Sequence, residues 1–214
     1  IEGNYIQGER IRNQVECPKP REKRLWQSIV KEKIRAQGRL LKTIYGDDYG
    51  FDKIAGKVLS GDTNNREAMA SLRYWNVLFG SSFRRHPRAG GINGMLNYGY
   101  AVLRAIVARA VCAAGLHPSI GIHHHNRYDA FRLADDLMEP MRPLVDKAVY
   151  TWWVTHTSVT DLTKESKKHL IEALLCKVDM DGEKRTLFDA SSRMAVSLAQ
   201  AFSNPKTKLS IISV

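Results

Sequence analysis

Residues 92–114 read INGMLNYGYAVLRAIVARAVCAA. Leu96, Tyr100, Leu103, Val107, Ala110 and Ala114 recur at alternating spacings of four and three, which keeps one helical face continuously apolar. That spacing predicts the central helix of an all-helical core, closed by Gly115 as a C-cap. Upstream, FDKIAGKVLSG (51–61) predicts a short helix ending at Gly61. DTNN (62–65) offers caps for the next helix, on which Ala68, Leu72, Trp75 and Phe79 form an apolar stripe ended by Gly80. The basic loop SSFRRHPRAGG (81–91) follows. Further back, REKRLWQSIVKEKIRAQGRLLKTI (21–44) sets Leu25, Ile29, Ile34 and Leu41 among many positive charges, as in a long, basic, half-exposed helix.

Downstream, LHPSIGIHHHN (116–126) is a turn-rich, extended connection into a helix expected to begin near Tyr128. SKKHLIEALL (166–175) and SSRMAVSLAQAF (191–202) carry helical signals again. Between them KVDMDGEKRTL (177–187) holds an Asp-Gly turn flanked by alternating residues, the one small β-hairpin to expect. The fold class is therefore mainly α. Residues 1–20 read as a linker or the remnant of an upstream domain, 21–205 as the helical domain and 206–214 as a tail. Because the chain starts at Ile1 rather than Met, an upstream segment is expected to have been removed.

A chain of 214 residues has room for one large core. Its 33 Lys and Arg against 22 Asp and Glu leave +11, spread along the length, and such a surface favours a polyanion. Cys17, Cys112 and Cys176 have no paired spacing, which argues against a disulfide framework or a thiolate zinc site and fits a reducing cytoplasm. No apolar run approaches the roughly 20 residues that span a bilayer, and IEGNYIQGER (1–10) lacks a secretory apolar region.

Three groups have the chemistry for a site, and each has an ordinary explanation beside it. Glu67 stands three residues after Asn64, close to a capping box, yet it also shares a helical face with Ser71, Tyr74 and Leu78, where a carboxylate needs a cation, a metal or hydrogen bonds to stay charged. Within His123–His125, neighbours on an extended segment point to opposite sides, so at most His123 with His125, or His124 alone, can face one site, which disfavours a zinc triad of all three. Asp135, Asp136 and Glu139 share one face, where Arg132 and Arg142 stand at ion-pair spacing. Pro140 and Pro143 strip the carbonyls of Asp136 and Glu139 of their usual donors, so the acidic cluster sits on a kink. Carboxylates with one imidazole suit Mg²⁺ or Mn²⁺ better than zinc.

The blocks NREAMASLRYWNVLFG, INGMLNYGYAVLRAIVARAVCAAGLHPSIGIHHHN and FRLADDLMEPMRPLVD resemble, in order and spacing, the CRISPR-associated integrase that captures new spacers. They cover Asn64 to Asp146, with weaker similarity from about Leu25 to Phe202. The resemblance implies a mostly helical catalytic domain that follows a small β-rich dimerisation domain absent from this chain. It implies one Mg²⁺ or Mn²⁺ held by Glu67, His124 and Glu139, with Asp136 assisting; the separation from His124 to Glu139 matches the family's. It also implies a homodimer of the full-length protein, the small partner CRISPR-associated protein two, and double-stranded DNA as prespacer and repeat. The activity so implied is that of a metal-dependent DNA endonuclease and integrase, in which a prespacer 3′-hydroxyl attacks a repeat phosphodiester. Arg84, Arg85 and Arg88 in the loop, with Lys31, Lys33 and Arg35 on the first long helix, are expected to contact phosphates. Two alternatives stand beside this: a non-catalytic basic helical module that binds nucleic acid, and a zinc hydrolase built on the histidine run.

Overall fold

The computed structural model describes residues 6–156 and 162–214. Its helices are α1 (Gln7–Val15), α2 (Lys19–Tyr45), α3 (Phe51–Gly56), α4 (Arg66–Phe79), α5 (Gly91–Ala113), α6 (Arg132–Met138), α7 (Arg142–Thr155), α8 (Lys164–Ala173) and α9 (Leu187–Ser203). Short 3₁₀ turns at Ser60–Asp62 and Glu139–Met141 precede α4 and α7. The hairpin β1 (Lys177–Met180) and β2 (Glu183–Thr186) pairs Met180 with Glu183 across the Asp181-Gly182 turn, and both turn residues adopt positive φ, as the Asp-Gly signal requires.

Two helices organise the rest. On α5, Leu96, Leu103, Val107 and Ala110, with Ala114 at its C-cap, are all buried as their spacing predicts, and α6, α7, α8 and α9 pack around them. On α2, Leu25, Trp26, Ile29, Val30, Ile34 and Leu41 are buried, each contributing about 1.5–3 kcal/mol relative to exposure. This face of α2 gathers α3, both 3₁₀ turns, α4 and α7. Gly46 in the left-handed region ends α2. No described helix is long and apolar enough to cross a membrane.

Several local expectations change. The expected linker 1–20, whose first five residues lie outside the described ones, contains α1. This helix is fixed by side chains that periodicity does not register: Arg10 donates to Ala114 O at 2.6 Å, and buried Gln14 donates to His117 O and Ile120 O while accepting from His117 N. Helix α2 begins at Lys19, with Pro20 in its first turn, where a missing N–H costs nothing. The expected tail 206–214 returns over the hairpin, with Ser213 bridging Asp179, Ile212 fully buried and Arg39 donating to Val214 O at 2.6 Å.

Helix α3 stops at Gly56 rather than Gly61, and α6 starts at Arg132 rather than near Tyr128. On α4 the cap is not Asn64. Asp62 accepts from Arg66 N at 2.8 Å and Glu67 N at 3.0 Å, while Asn64 is spent on Leu59 N and Lys57 O. The stripe also rotates. Ala68 and Leu72 are exposed, and Ala70, Tyr74, Leu78 and Phe79 are buried, because the polar partners of Glu67 and Tyr74 lie on the inner side.

Candidate active site

Lys33 lies in the apolar register of α2 and is only 7% exposed. Its Nζ is 2.6 Å from Glu67 Oε1 on α4 and 2.6 Å from Glu139 Oε2 in the turn between α6 and α7. Two carboxylates 72 positions apart in the chain therefore share one buried ammonium. Arg142 holds the other oxygen of Glu139 at 2.9 Å. Burial alone would raise the Glu139 pKa, but Arg142 and then Lys33 outweigh it and hold the carboxyl below its ordinary value. For Lys33 the opposing burial is likewise overcome by Glu139 and Glu67, and its pKa is raised.

The prolines place Glu139. The carbonyl that Pro140 leaves without a donor is that of Asp136, and the chain tightens into a 3₁₀ turn before α7 restarts with Pro143 in its first turn. Glu139 thus stands at a break between helices rather than on a uniform charged face, with Arg142 at the expected ion-pair spacing. Asp135 faces elsewhere, paired with Arg104 at 2.8 Å.

His124 is set by Asp136. The fully buried carboxylate accepts from Ile122 N at 2.6 Å and His123 N at 3.1 Å through Oδ2, and from His124 N at 3.2 Å through Oδ1, which also meets His124 Nδ1 at 2.6 Å. Gly121 permits this wrap, since a Cβ there would stand 2.8 Å from His124 O and 2.9 Å from Asp136 Oδ2. The hydrogen bond to Asp136 is the main reason the His124 pKa is raised. With Nδ1 engaged, the neutral ring presents Nε2 as its acceptor, the arrangement that a carboxylate imposes on a metal-binding histidine. Asp136 therefore orients the imidazole, and its oxygens are occupied by protein donors.

The other two histidines go elsewhere. His123 stacks on Trp26 with ring centroids 4.2 Å apart, and burial lowers its pKa. His125 is exposed. Among the described residues no three His, Cys, Asp or Glu side chains are grouped closely enough to hold a metal ion as they stand. The structure brings Glu67 and Glu139 together around Lys33, and sets His124 near enough to Glu139 for each to shift the other's titration. The donor set nonetheless suits a hard divalent cation. Both carboxylates already face a positive charge, and buried Glu139 Oε2 takes no hydrogen bond of ordinary geometry.

Of the six basic residues expected at phosphates, two are turned inward. Lys33 joins the carboxylates, and Arg85 donates to Asn93 Oδ1 at 3.0 Å and Asn97 Oδ1 at 2.6 Å. Arg84 is exposed and braces its own loop through Ser81 O and Phe83 O, Arg88 is exposed, Arg35 pairs with Asp52 at 3.2 Å, and Lys31 is half-buried. Sequence reasoning missed the structural role of Lys33, although a lysine one turn beyond Ile29 and Val30 on a buried stripe is the signal that marks it. It also missed Asp146, buried between the hydroxyls of Tyr74, at 2.8 Å, and Tyr100.

The fold is shared with two solved structures. The chain aligns over 95% of its length with 71% of a casposase bound to integration product, at TM-score 0.80 and 21% identity. Over 99% of its length it aligns with 27% of a chain from a Cas6-RT-Cas1–Cas2 complex, at TM-score 0.76 and 19% identity. Residues 2–175 match the model of the family described as CRISPR associated protein Cas1, and the chain belongs to that family. It is 35% identical over 205 residues, 92% of its length, to the CRISPR-associated endonuclease Cas1 of Neisseria meningitidis serogroup C (strain 8013), and spans 66% of that relative.

Proposed function

We propose that this domain carries the DNA-cleaving and strand-transfer chemistry by which a CRISPR array gains a spacer, with Mg²⁺ or Mn²⁺ as its cofactor. The observation that carries the reading is the convergence of Glu67 and Glu139 on one buried cation, with His124 held alongside by Asp136. Family membership and the fold shared with a casposase support it.

Glu67, Glu139 and His124 Nε2 would hold the ion, which when bound neutralises phosphate charge and activates a hydroxyl. The chain's own residues prepare that seat. Arg142 keeps Glu139 ionised despite its burial, and Asp136 fixes the imidazole so that Nε2 is the lone-pair side. Arg84, Arg88, Lys31 and Arg35 neutralise flanking phosphates. In integration a prespacer 3′-hydroxyl gives up its proton and bonds to a repeat phosphorus. The repeat strand's 3′-oxygen leaves and takes up a proton, so one phosphodiester is exchanged for another. Cleavage is the same displacement with water as the nucleophile.

The partners in this reading are double-stranded DNA, a second copy of the full-length protein and CRISPR-associated protein two. The last is supported by the Cas6-RT-Cas1–Cas2 complex among the structural relatives. The deciding experiment is Glu67→Gln, which leaves Lys33 paired with Glu139 and should fold. Nuclease and integration activity should vanish, as it should for the unaltered protein on adding chelator. Full activity in folded Glu67→Gln overturns the assignment.

A second reading is favoured by the same ion pair: carboxylates satisfied by Lys33 also describe a structural salt bridge in a non-catalytic basic module. That module binds DNA with steep salt dependence and is indifferent to divalent ion and chelator.

A further inference from the structure

One helical turn behind the Glu67–Glu139 pair, between α2, α4 and α7, lies a cavity of about 100 Å³ whose walls include Lys33, Gln37 and Asp146. An ammonium group is about the size of a water molecule, for which ~30 Å³ suffices. Gln37 is 4% exposed, and its Oε1 has no hydrogen-bond partner among the described residues. On the far wall, the Asp146 carboxylate is already within electrostatic reach of Lys33. Arg85 and Arg142 also line the cavity; Arg85 is held by Asn93 and Asn97, while Arg142 pairs with Glu139 and, like Lys33, lies within electrostatic reach of Asp146. The cavity thus holds a buried acceptor and a buried anion within reach of a cation whose present seat is elsewhere.

We propose that Lys33 has two seats: its ammonium neutralises Glu67 and Glu139 when no divalent ion is bound, and moves back into this cavity, beside Gln37 Oε1 and Asp146, when one is. The inference rests on the metal reading above. Lys33 Nζ stands 2.6 Å from both carboxylate oxygens, and Mg²⁺ bonds to such oxygens at about 2.0–2.1 Å. An ion bonded to both oxygens would claim the volume the ammonium fills, and two cations at such range repel strongly in a buried site. One of them must leave. Lys33 is rooted in the buried face of α2, and the cavity one turn along that face offers its ammonium replacement partners.

The two seats make metal affinity depend on Lys33 with a sign opposite to that of a supporting residue. Mn²⁺ titration calorimetry and thermal melts with and without Mn²⁺ test this on the wild type, Lys33→Met, Gln37→Leu and the double variant. Lys33→Met should bind Mn²⁺ more tightly, by about tenfold. It should also melt at a lower temperature without metal and show a larger rise on adding it. Gln37→Leu should weaken Mn²⁺ binding several-fold with Lys33 present and leave it unchanged in the Lys33→Met background. Equal or weaker binding by Lys33→Met, or the same effect of Gln37→Leu in both backgrounds, overturns the proposal. Should Lys33→Met fail to fold, unchanged affinity in Gln37→Leu alone overturns it, and a several-fold loss supports it. Wild-type binding that is absent, or indifferent to Glu67→Gln, removes the metal reading itself and the two seats with it.

Discussion

Asp136 Oδ1 lies 2.6 Å from His124 Nδ1, and the same carboxylate gathers the backbone N–H groups of Ile122, His123 and His124. One buried side chain therefore closes the histidine loop and aims its ring. Asp136→Asn sets an amide against several donors and should cost about 3 kcal/mol in urea unfolding. In the same variant the His124 titration, followed by NMR, should move down toward the ordinary histidine value. A loss well below 1 kcal/mol, or an unmoved titration, contradicts this account of the loop.

Gly99 on α5 lets α7 approach closely: a Cβ there would stand 2.4 Å from Val145 Cγ1. Val145 is 1% exposed and has no room to yield. Gly99→Ala should destabilise by about 1–3 kcal/mol through overpacking. Val145→Ala, which opens space at that contact, should make the double variant less damaged than the sum of the singles. Strict additivity in denaturant titrations would show that the two do not meet.

Asp146 supplies a pH test. Burial pushes its pKa up to about 6, even though Tyr100 and Tyr74 donate to it and Arg142 and Lys33 lie near. A carboxyl whose pKa is higher folded than unfolded binds protons more readily in the folded state. Its contribution therefore favours folding most below about pH 4, and declines as pH rises to about 6. Asp135 is also pushed up to about 6, so the wild-type curve sums both groups. Subtracting the curve of Asp146→Asn isolates one, and the difference should change by up to about 3 kcal/mol across that window. A difference flat from pH 4 to 7 would refute the shift.

The inward turn of Arg85 and the exposure of Arg84 and Arg88 predict a division of labour. Arg84→Gln and Arg88→Gln should each reduce the salt dependence of DNA affinity by about one phosphate contact, with little change in stability. Arg85→Gln should instead lower the melting temperature, because Asn97 Oδ1 loses its Arg85 donor and Asn93 Oδ1 keeps only His86 N, and leave the salt slope intact. The reverse pattern in binding isotherms across salt concentrations would reassign the loop.

The sequence was most readable where one interaction dominates. The α5 stripe and the Asp-Gly hairpin depend on near neighbours and appear as expected. The paired prolines mark the break at Glu139 because each removes a donor at a known position. Legibility fails where a distant polar partner decides. Gln14 fixes α1 through groups more than a hundred residues away, and Asp62 displaces Asn64 as the cap of α4. The rotation of α4 follows from Lys33 and Asp146, which its own pattern of apolar residues does not contain. Charge counting treated Lys33 as surface, whereas its place on the α2 stripe marked it as interior.

Glu139 belongs wholly to neither α6 nor α7, since the 3₁₀ turn hands the chain from one axis to the other at that residue. The bearing of its carboxyl is consequently a joint property of two rods, much as a hinge pin answers to both plates. Substitution of Val149, fully buried along α7, is expected to shift the spacing between Glu139 and Glu67 while altering neither glutamate. Adjustments to this site are thus open to residues that never touch it, and a screen confined to its lining would miss them.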